Sequence, residues 1–239
     1  TNAYASGPLI DGLLGAKVTG LLSRRAEDKI LNGYNEQRLR NGGVTFNFTP
    51  DDKNDVDLDI ARELQDRNST PGMSSAAETC RGNVCTPNSK SESRYEHTTY
   101  SLTHSGYYSD FNTVSYVQQE ETNNPGRQMK SYNTLFNNQN QIFLGNHTLT
   151  VGGQYRYEKL RDNGNQLEAA DGLNKLTRWS WALFAEDEWA VLDSVTLTGG
   201  LRMDKDENYG TNWTPRGYGV WHLTDQWTIK GGVSAGYRA

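Results

Sequence analysis

The stretch from Trp179 to Tyr237 constrains the fold more than any other. Trp179, Trp181, Leu183 and Ala185 occupy alternate positions, as do Val195, Leu197, Gly199, Leu201 and Met203, and then Trp227, Ile229, Gly231, Val233, Ala235 and Tyr237. Thr196, Thr198, Arg202, Asp204, Thr228, Lys230 and Ser234 fall between them. A period of two puts an apolar face and a polar face on every strand. The connections are expected to alternate as well, with tight turns at 192–194 and 224–225 and a longer loop at 207–214. Long two-faced strands with short turns at one end and long loops at the other are what a transmembrane β-barrel requires.

Composition agrees once that architecture is considered. Only 34% of the 239 residues are hydrophobic, which is low for a globular core of this size. The 10% aromatic content, 24 glycines and 13 tyrosines argue against disorder. A barrel resolves the conflict, because its inner face is wet and its outer face needs only a short apolar band. No run approaches the roughly 20 apolar residues of a spanning helix, and no secretory signal is visible. The net charge of -5, with Lys and Arg scattered along the chain, speaks against a nucleic-acid partner.

The same alternation recurs upstream. Leu14, Ala16, Val18, Gly20 and Leu22 share a face, Val44, Phe46 and Phe48 oppose Thr45, Asn47 and Thr49, and Val56, Leu58 and Ile60 oppose Asp57, Asp59 and Glu63. Those aspartates lack the glycine and terminal glutamate of a calcium loop, so they predict a polar strand face turned to water. Further strands are expected at 94–108, 111–120, 132–144 and 148–160. Residues 1–11, with Gly7 and Pro8, are expected to form a turn. The total is about eleven strands. An odd number leaves a barrel open, and open edges are costly in hydrocarbon. Alternation also continues to the last residues, so the expectation is a piece of a longer barrel.

Residues 66–93 are expected to be the longest irregular segment, and they hold Cys80 and Cys85. The spacing suggests a local disulfide made in an oxidising compartment. Free thiols are the alternative, and a zinc site, with Glu78 and His97 nearest, lacks a ligand pattern. His104 shares the apolar side of its strand and reads as an interfacial polar group; His97, His147 and His222 are scattered. No metal site, covalent cofactor or nucleophile–base pair is expected, so the chain is not read as an enzyme. Trp189, Trp221 and Trp227 fall near expected short turns, and Trp179 and Trp213 near expected long loops. Two interfacial aromatic belts are the expected arrangement.

Several strings resemble the barrel of TonB-dependent outer-membrane receptors. They are Leu183-Phe184-Ala185-Glu186-Asp187-Glu188-Trp189, Leu197-Thr198-Gly199-Gly200-Leu201-Arg202-Met203-Asp204, Asn212-Trp213-Thr214-Pro215-Arg216, and the close Gly236-Tyr237-Arg238-Ala239. Ser101-Leu102-Thr103-His104 and the run from Tyr116 to Arg127 are similar to the catecholate-siderophore branch, most of all to the colicin I receptor type. The resemblance is strongest from about Tyr95 onward. It implies a segment of a 22-stranded barrel over residues 1–239, with long extracellular loops and short periplasmic turns. The resemblance also implies a plug domain and an N-terminal segment that contacts TonB, and both are expected to lie outside residues 1–239.

The family implies an outer-membrane receptor for ferric siderophores, energised by TonB in the full-length parent. A ferric catecholate is an anion carrying flat rings, which suits guanidinium groups and aromatic side chains. Arg127 is the first candidate ligand, followed by Arg94 and Tyr95, then Arg81, Trp213 and Arg216. Outer-membrane lipid and lipopolysaccharide are expected around the barrel, and colicin-type bacteriocins or phage are further possible partners. The competing readings are a non-energised porin-like channel and a soluble or surface β-rich binding module.

Overall fold

The fold is seen in a computed structural model that describes residues 1–164 and 174–236. Twelve strands form one antiparallel sheet: β1 (Asn2–Ile10), β2 (Leu14–Arg25), β3 (Glu36–Asp51), β4 (Asn54–Ser69), β7 (Ser91–Tyr107), β8 (Phe111–Asn124), β9 (Met129–Leu144), β10 (His147–Asp162), β11 (Lys175–Leu192), β12 (Val195–Asp206), β13 (Gly210–His222) and β14 (Thr228–Ser234). Each strand pairs with its neighbour in the sequence, except that β4 pairs with β7. The two strands skipped, β5 (Glu78–Arg81) and β6 (Val84–Pro87), make a separate ribbon inside the β4–β7 connection.

Directly opposed residues in an antiparallel ladder point to the same side. The register therefore carries each strand's faces across the sheet. One row runs Ala16–Phe46–Leu58–Leu102–Val117–Phe136–Tyr155–Trp181, apolar from β2 to β11. A neighbouring row on the other side runs Lys17–Thr45–Asp59–Ser101–Gln118–Leu135–Arg156–Ser180. The apolar side is not covered by protein: Leu183 is 55% exposed, Leu201 46% and Val233 81%, while Ala182 is the one buried apolar residue among those described. A β-sandwich would bury such a face against a second sheet. Here it is left for hydrocarbon, as the barrel reading requires.

Three expectations need correction. The turn expected at residues 1–11 is a strand, which raises the strand count from about eleven to twelve. Pro8 is tolerated because β1 pairs only with β2 and lies at the sheet edge. The loop expected at 207–214 shrinks to Glu207–Tyr209. Asp206 closes it by accepting the N–H groups of Asn208 (2.9 Å) and Tyr209 (3.2 Å), and Gly210 supplies a φ of 77°. Pro215 then sits inside β13, its carbonyl accepting from Ala235 N where the ladder with β14 ends. The loop expected between β8 and β9 likewise narrows to a single 3₁₀ turn, Pro125–Arg127, capped by Asn124 Oδ1 accepting from Arg127 N at 3.2 Å.

Short connections stand at one end of the sheet, and at the other stand the longer segments 26–35 and 70–90 together with the compact 125–128 and 207–209. Part of the loop expected at 161–176, and the string Tyr237-Arg238-Ala239, lie outside the described residues. The tryptophan belts hold. Trp189 and Trp221 lie on the apolar face near short turns, and Trp179 and Trp213 lie on it near the opposite end. His104 is on that face as expected, bonded to Asn54 Oδ1 at 3.0 Å.

Candidate functional site

Strand alternation separates the six residues expected to bind ligand. Arg94 and Tyr95 are consecutive in β7 and so face opposite ways. Tyr95, opposite Gln65, looks inward; Arg94 looks outward and is paired with Asp66 at 2.7 Å. Trp213, opposite Met203, also looks outward. Trp213 was expected in the 207–214 loop and instead belongs to a strand, whereas Arg94, expected to open a strand, lies a few residues inside one. Arg216 is likewise a strand residue, but it faces inward and pairs with Glu186. That ion pair crosses β12 over Gly200, where a Cβ would come within 3.0 Å of Glu186 Oε2 and 3.2 Å of Arg216 Cγ. Arg127 is exposed in the 3₁₀ turn. Arg81 is exposed on the β5–β6 ribbon.

The ribbon also settles the cysteines. Cys80 and Cys85 are directly opposed and form a disulfide with S–S 2.01 Å. Glu78 lies within 4.8 Å of both sulfurs, but disulfide sulfurs are not metal ligands. The base of the connection is latched to the 26–35 loop by Glu27. Its carboxylate accepts from Thr70 N (2.5 Å), Thr70 Oγ1 (2.7 Å) and Ser74 Oγ (2.6 Å). Those bonds, led by the one from Ser74, hold the Glu27 carboxyl at about 2, well below its ordinary 4.5.

A group that was not expected converges on the inward face. Gln154, Arg156 and Glu158 of β10, Arg178 of β11, and Arg202 and Asp206 of β12 line a cavity of about 470 Å³. Arg202 holds both oxygens of Asp204 through Nε at 3.0 Å and reaches Gln154 Oε1 through Nη2 at 3.0 Å. Arg178 donates to Asp206 Oδ2 at 2.9 and 2.6 Å and stands 5.3 Å from the Tyr209 ring. Asp206 is only 3% exposed, so this pair is the most enclosed of the wall. Arg156 is exposed and has no hydrogen-bond or ion-pair partner among the described residues. Arginines held rigidly by carboxylates, beside one arginine left open, make a surface that can receive a flat anion. The signal was present as the period-two strings Gln154-x-Arg156-x-Glu158 and Arg202-x-Asp204-x-Asp206. What alternation alone lacked was the register that places them side by side.

The comparisons with known proteins converge on one family. Residues 23–239 match the family model described as TonB dependent receptor-like, beta-barrel. The iron-regulated outer membrane virulence protein of Vibrio cholerae is 35% identical over 240 residues, covering 100% of this chain and 36% of that protein. The ferrienterobactin receptor of Escherichia coli is 30% identical over 112 residues, covering 41% of this chain and 15% of the receptor. The crystal structure of the siderophore receptor PirA from Acinetobacter baumannii superposes with a TM-score of 0.81 at 23% identity, covering 100% of this chain and 40% of that one. The chain thus spans about a third of the length of its Vibrio relative. With its twelve-stranded two-faced sheet and this match over nearly its whole length, the chain belongs to the TonB-dependent receptor β-barrel family of the outer membrane.

Proposed function

We propose that the full-length parent captures a ferric catecholate siderophore at the long-loop end of the barrel and imports it with energy delivered through TonB. The observation that carries this reading is the open guanidinium of Arg156 in the inward cavity, flanked by the carboxylate-held Arg178 and Arg202. A tris-catecholate complex offers negative charge and flat rings to that wall. Receptors for ferric enterobactin among the relatives support the same ligand class. Arg127 and Tyr95 remain candidate contacts on the way in, with Arg81 on the ribbon above. The transported iron complex is cargo; the wall carries out no covalent step.

The test is uptake of a labelled ferric catecholate by an iron-starved strain lacking competing receptors. Uptake is expected with the parent gene and not without it, and only when TonB is present. Arg156→Ala should weaken binding about tenfold, the value of one charge-assisted hydrogen bond, and Arg127→Ala should weaken it less. Uptake that persists without TonB favours a passive channel, and unchanged binding in Arg156→Ala removes the cavity from the pathway.

A further inference from the structure

The inward wall does not end at the arginines. Glu120 of β8, Asn133 of β9 and Glu158 of β10 are directly opposed across their ladders, so they form one inward row. Thr122 and Ser131 lie in the next inward row toward the loop end. Together these five line a hollow of about 580 Å³ that adjoins the arginine cavity, and Glu158 and Arg178 stand in the walls of both.

Acceptors outnumber donors in this row. Glu120 accepts from the neutral amide of Gln118 at 2.7 Å and from no cation. Glu158 has no hydrogen-bond or ion-pair partner among the described residues. Arg178, directly opposite Glu158, turns Nε and Nη2 to Asp206 instead, at 2.9 and 2.6 Å. Asn133 Oδ1, flanked in the row by both carboxylates, is enclosed and has no donor. Nothing in the wall offsets the negative end of that amide or the two carboxylates beside it, and acceptors left in this state are costly.

The spacing relates this row to the open arginine. Arg156 and Glu158 are two residues apart in β10 and face the same way, which sets their Cα atoms roughly 7 Å apart. Glu120 and Glu158 flank one intervening strand, so their Cα atoms stand roughly 10 Å apart. One extended molecule can span both distances. A compact dication suits the row less well, because Arg178 lies opposite Glu158 and Arg156 stands beside it. A single charge on a longer ligand can turn away from both guanidiniums.

We infer that Glu158, together with Glu120, forms an ammonium subsite next to the guanidinium wall, and that it selects ferric catecholates whose backbone carries a protonated amine over those whose backbone is neutral. The subsite rests on the siderophore reading and deepens it. The guanidinium of Arg156 takes the anionic rings, and the carboxylates take the amine. A neutral backbone would cover the same carboxylates without supplying charge or donor, and a polar site rejects a ligand that leaves it unpaired.

The full-length receptor is titrated, by quenching of its tryptophan fluorescence, with a matched pair of ferric catecholates. One has a polyamine backbone with a single protonated nitrogen; the other is the same molecule with that nitrogen acetylated, which removes the charge. The wild type should bind the amine about tenfold more tightly, the value of one charge-assisted hydrogen bond. Glu158→Gln should bring the ratio of the two affinities to within about twofold of one, and Glu120→Gln should lower it about threefold. Arg156→Ala should weaken both complexes and leave their ratio near its wild-type value, because its partner is the rings. Tight binding of both complexes with a wild-type ratio near one overturns the ammonium subsite and leaves the siderophore reading standing. Binding of neither complex ends both. A ratio that survives in Glu158→Gln and in Glu120→Gln overturns the subsite too, and so does a ratio abolished by millimolar calcium, which would assign the carboxylates to a metal. Heat-resistant migration on gels checks the folding of each variant. If Glu158→Gln fails that check, Glu120→Gln decides, and no fall in its ratio overturns the inference.

Discussion

The inward and loop carboxylates of the two halves of the sheet are held by different chemistry. In the first half, Asp57 accepts from Asn47 Nδ2 at 2.7 Å, Asp59 from Thr45 Oγ1 at 2.6 Å, and Glu27 from Thr70 and Ser74. These donors are neutral, so the carboxylates keep their full negative charge. In the second half, Asp204, Asp206 and Glu186 are each met by a guanidinium, from Arg202, Arg178 and Arg216. There the paired charges cancel locally, and Arg156 and Glu158, neighbours on the same face of β10, stand outside those pairs. Both walls occupy the same rows of the sheet, yet one leaves its carboxylates uncompensated and the other sets most of its carboxylates against guanidiniums. The inward polar face is thus divided into two electrostatic territories.

The division can be tested, and the largest effect is expected at Asp206. Its replacement by alanine leaves the part-buried Arg178 without its partner and removes the acceptor that closes the β12–β13 turn. A loss of about 2 kcal/mol in the stability of the refolded receptor is expected from urea unfolding, between the values for exposed and for buried pairs broken on one side. A loss below about 1 kcal/mol would show the second wall to be no more tightly held than an exposed pair.

The next test uses acid. Because the Glu27 carboxyl is lowered to about 2 in the folded chain, the latch contributes fully above its ordinary 4.5 and is lost as pH falls through the folded value. Spin labels at Leu31 and Ala76 should report a narrow distance at neutral pH that broadens between about 4.5 and 2. Glu27→Gln should be broad throughout, and a distance that ignores both acid and mutation removes the latch. The smallest effect is expected at Asp57→Asn, which should change ferric catecholate affinity by less than about twofold at physiological salt, because screening isolates exposed charges on separate walls. A large gain in affinity would mean that the acidic wall also shapes the ligand's approach.

Much of this was legible in the residues. The faces of β2, β3, β4, β10 and β12 follow from alternation, because side chains in a strand have no other way to be arranged. The Cys80–Cys85 pairing followed from their closeness in a turn-rich stretch. Where the reading failed, it failed at proline and glycine. Pro8 was taken as part of a turn, yet it lies on an edge strand, where it removes no needed hydrogen bond. The site was only half visible. Arg94 and Trp213 were both candidate ligands, but their strand positions turn them away from the lumen.

The sequence by itself determined that this chain alternates, that the alternation makes an apolar and a polar face, and that its strings are those of a TonB-dependent receptor. Only the tertiary structure decided which charges are neighbours. Arginines that look scattered along the chain come together because register aligns residues from strands far apart in the sequence. Arg156, Arg178 and Arg202 meet on the inner wall; Arg24, Arg38, Arg40 and Arg94 meet on the outer rim. A cross-strand distance of about 5 Å is set by hydrogen bonds between backbones, and no local pattern of residues encodes it.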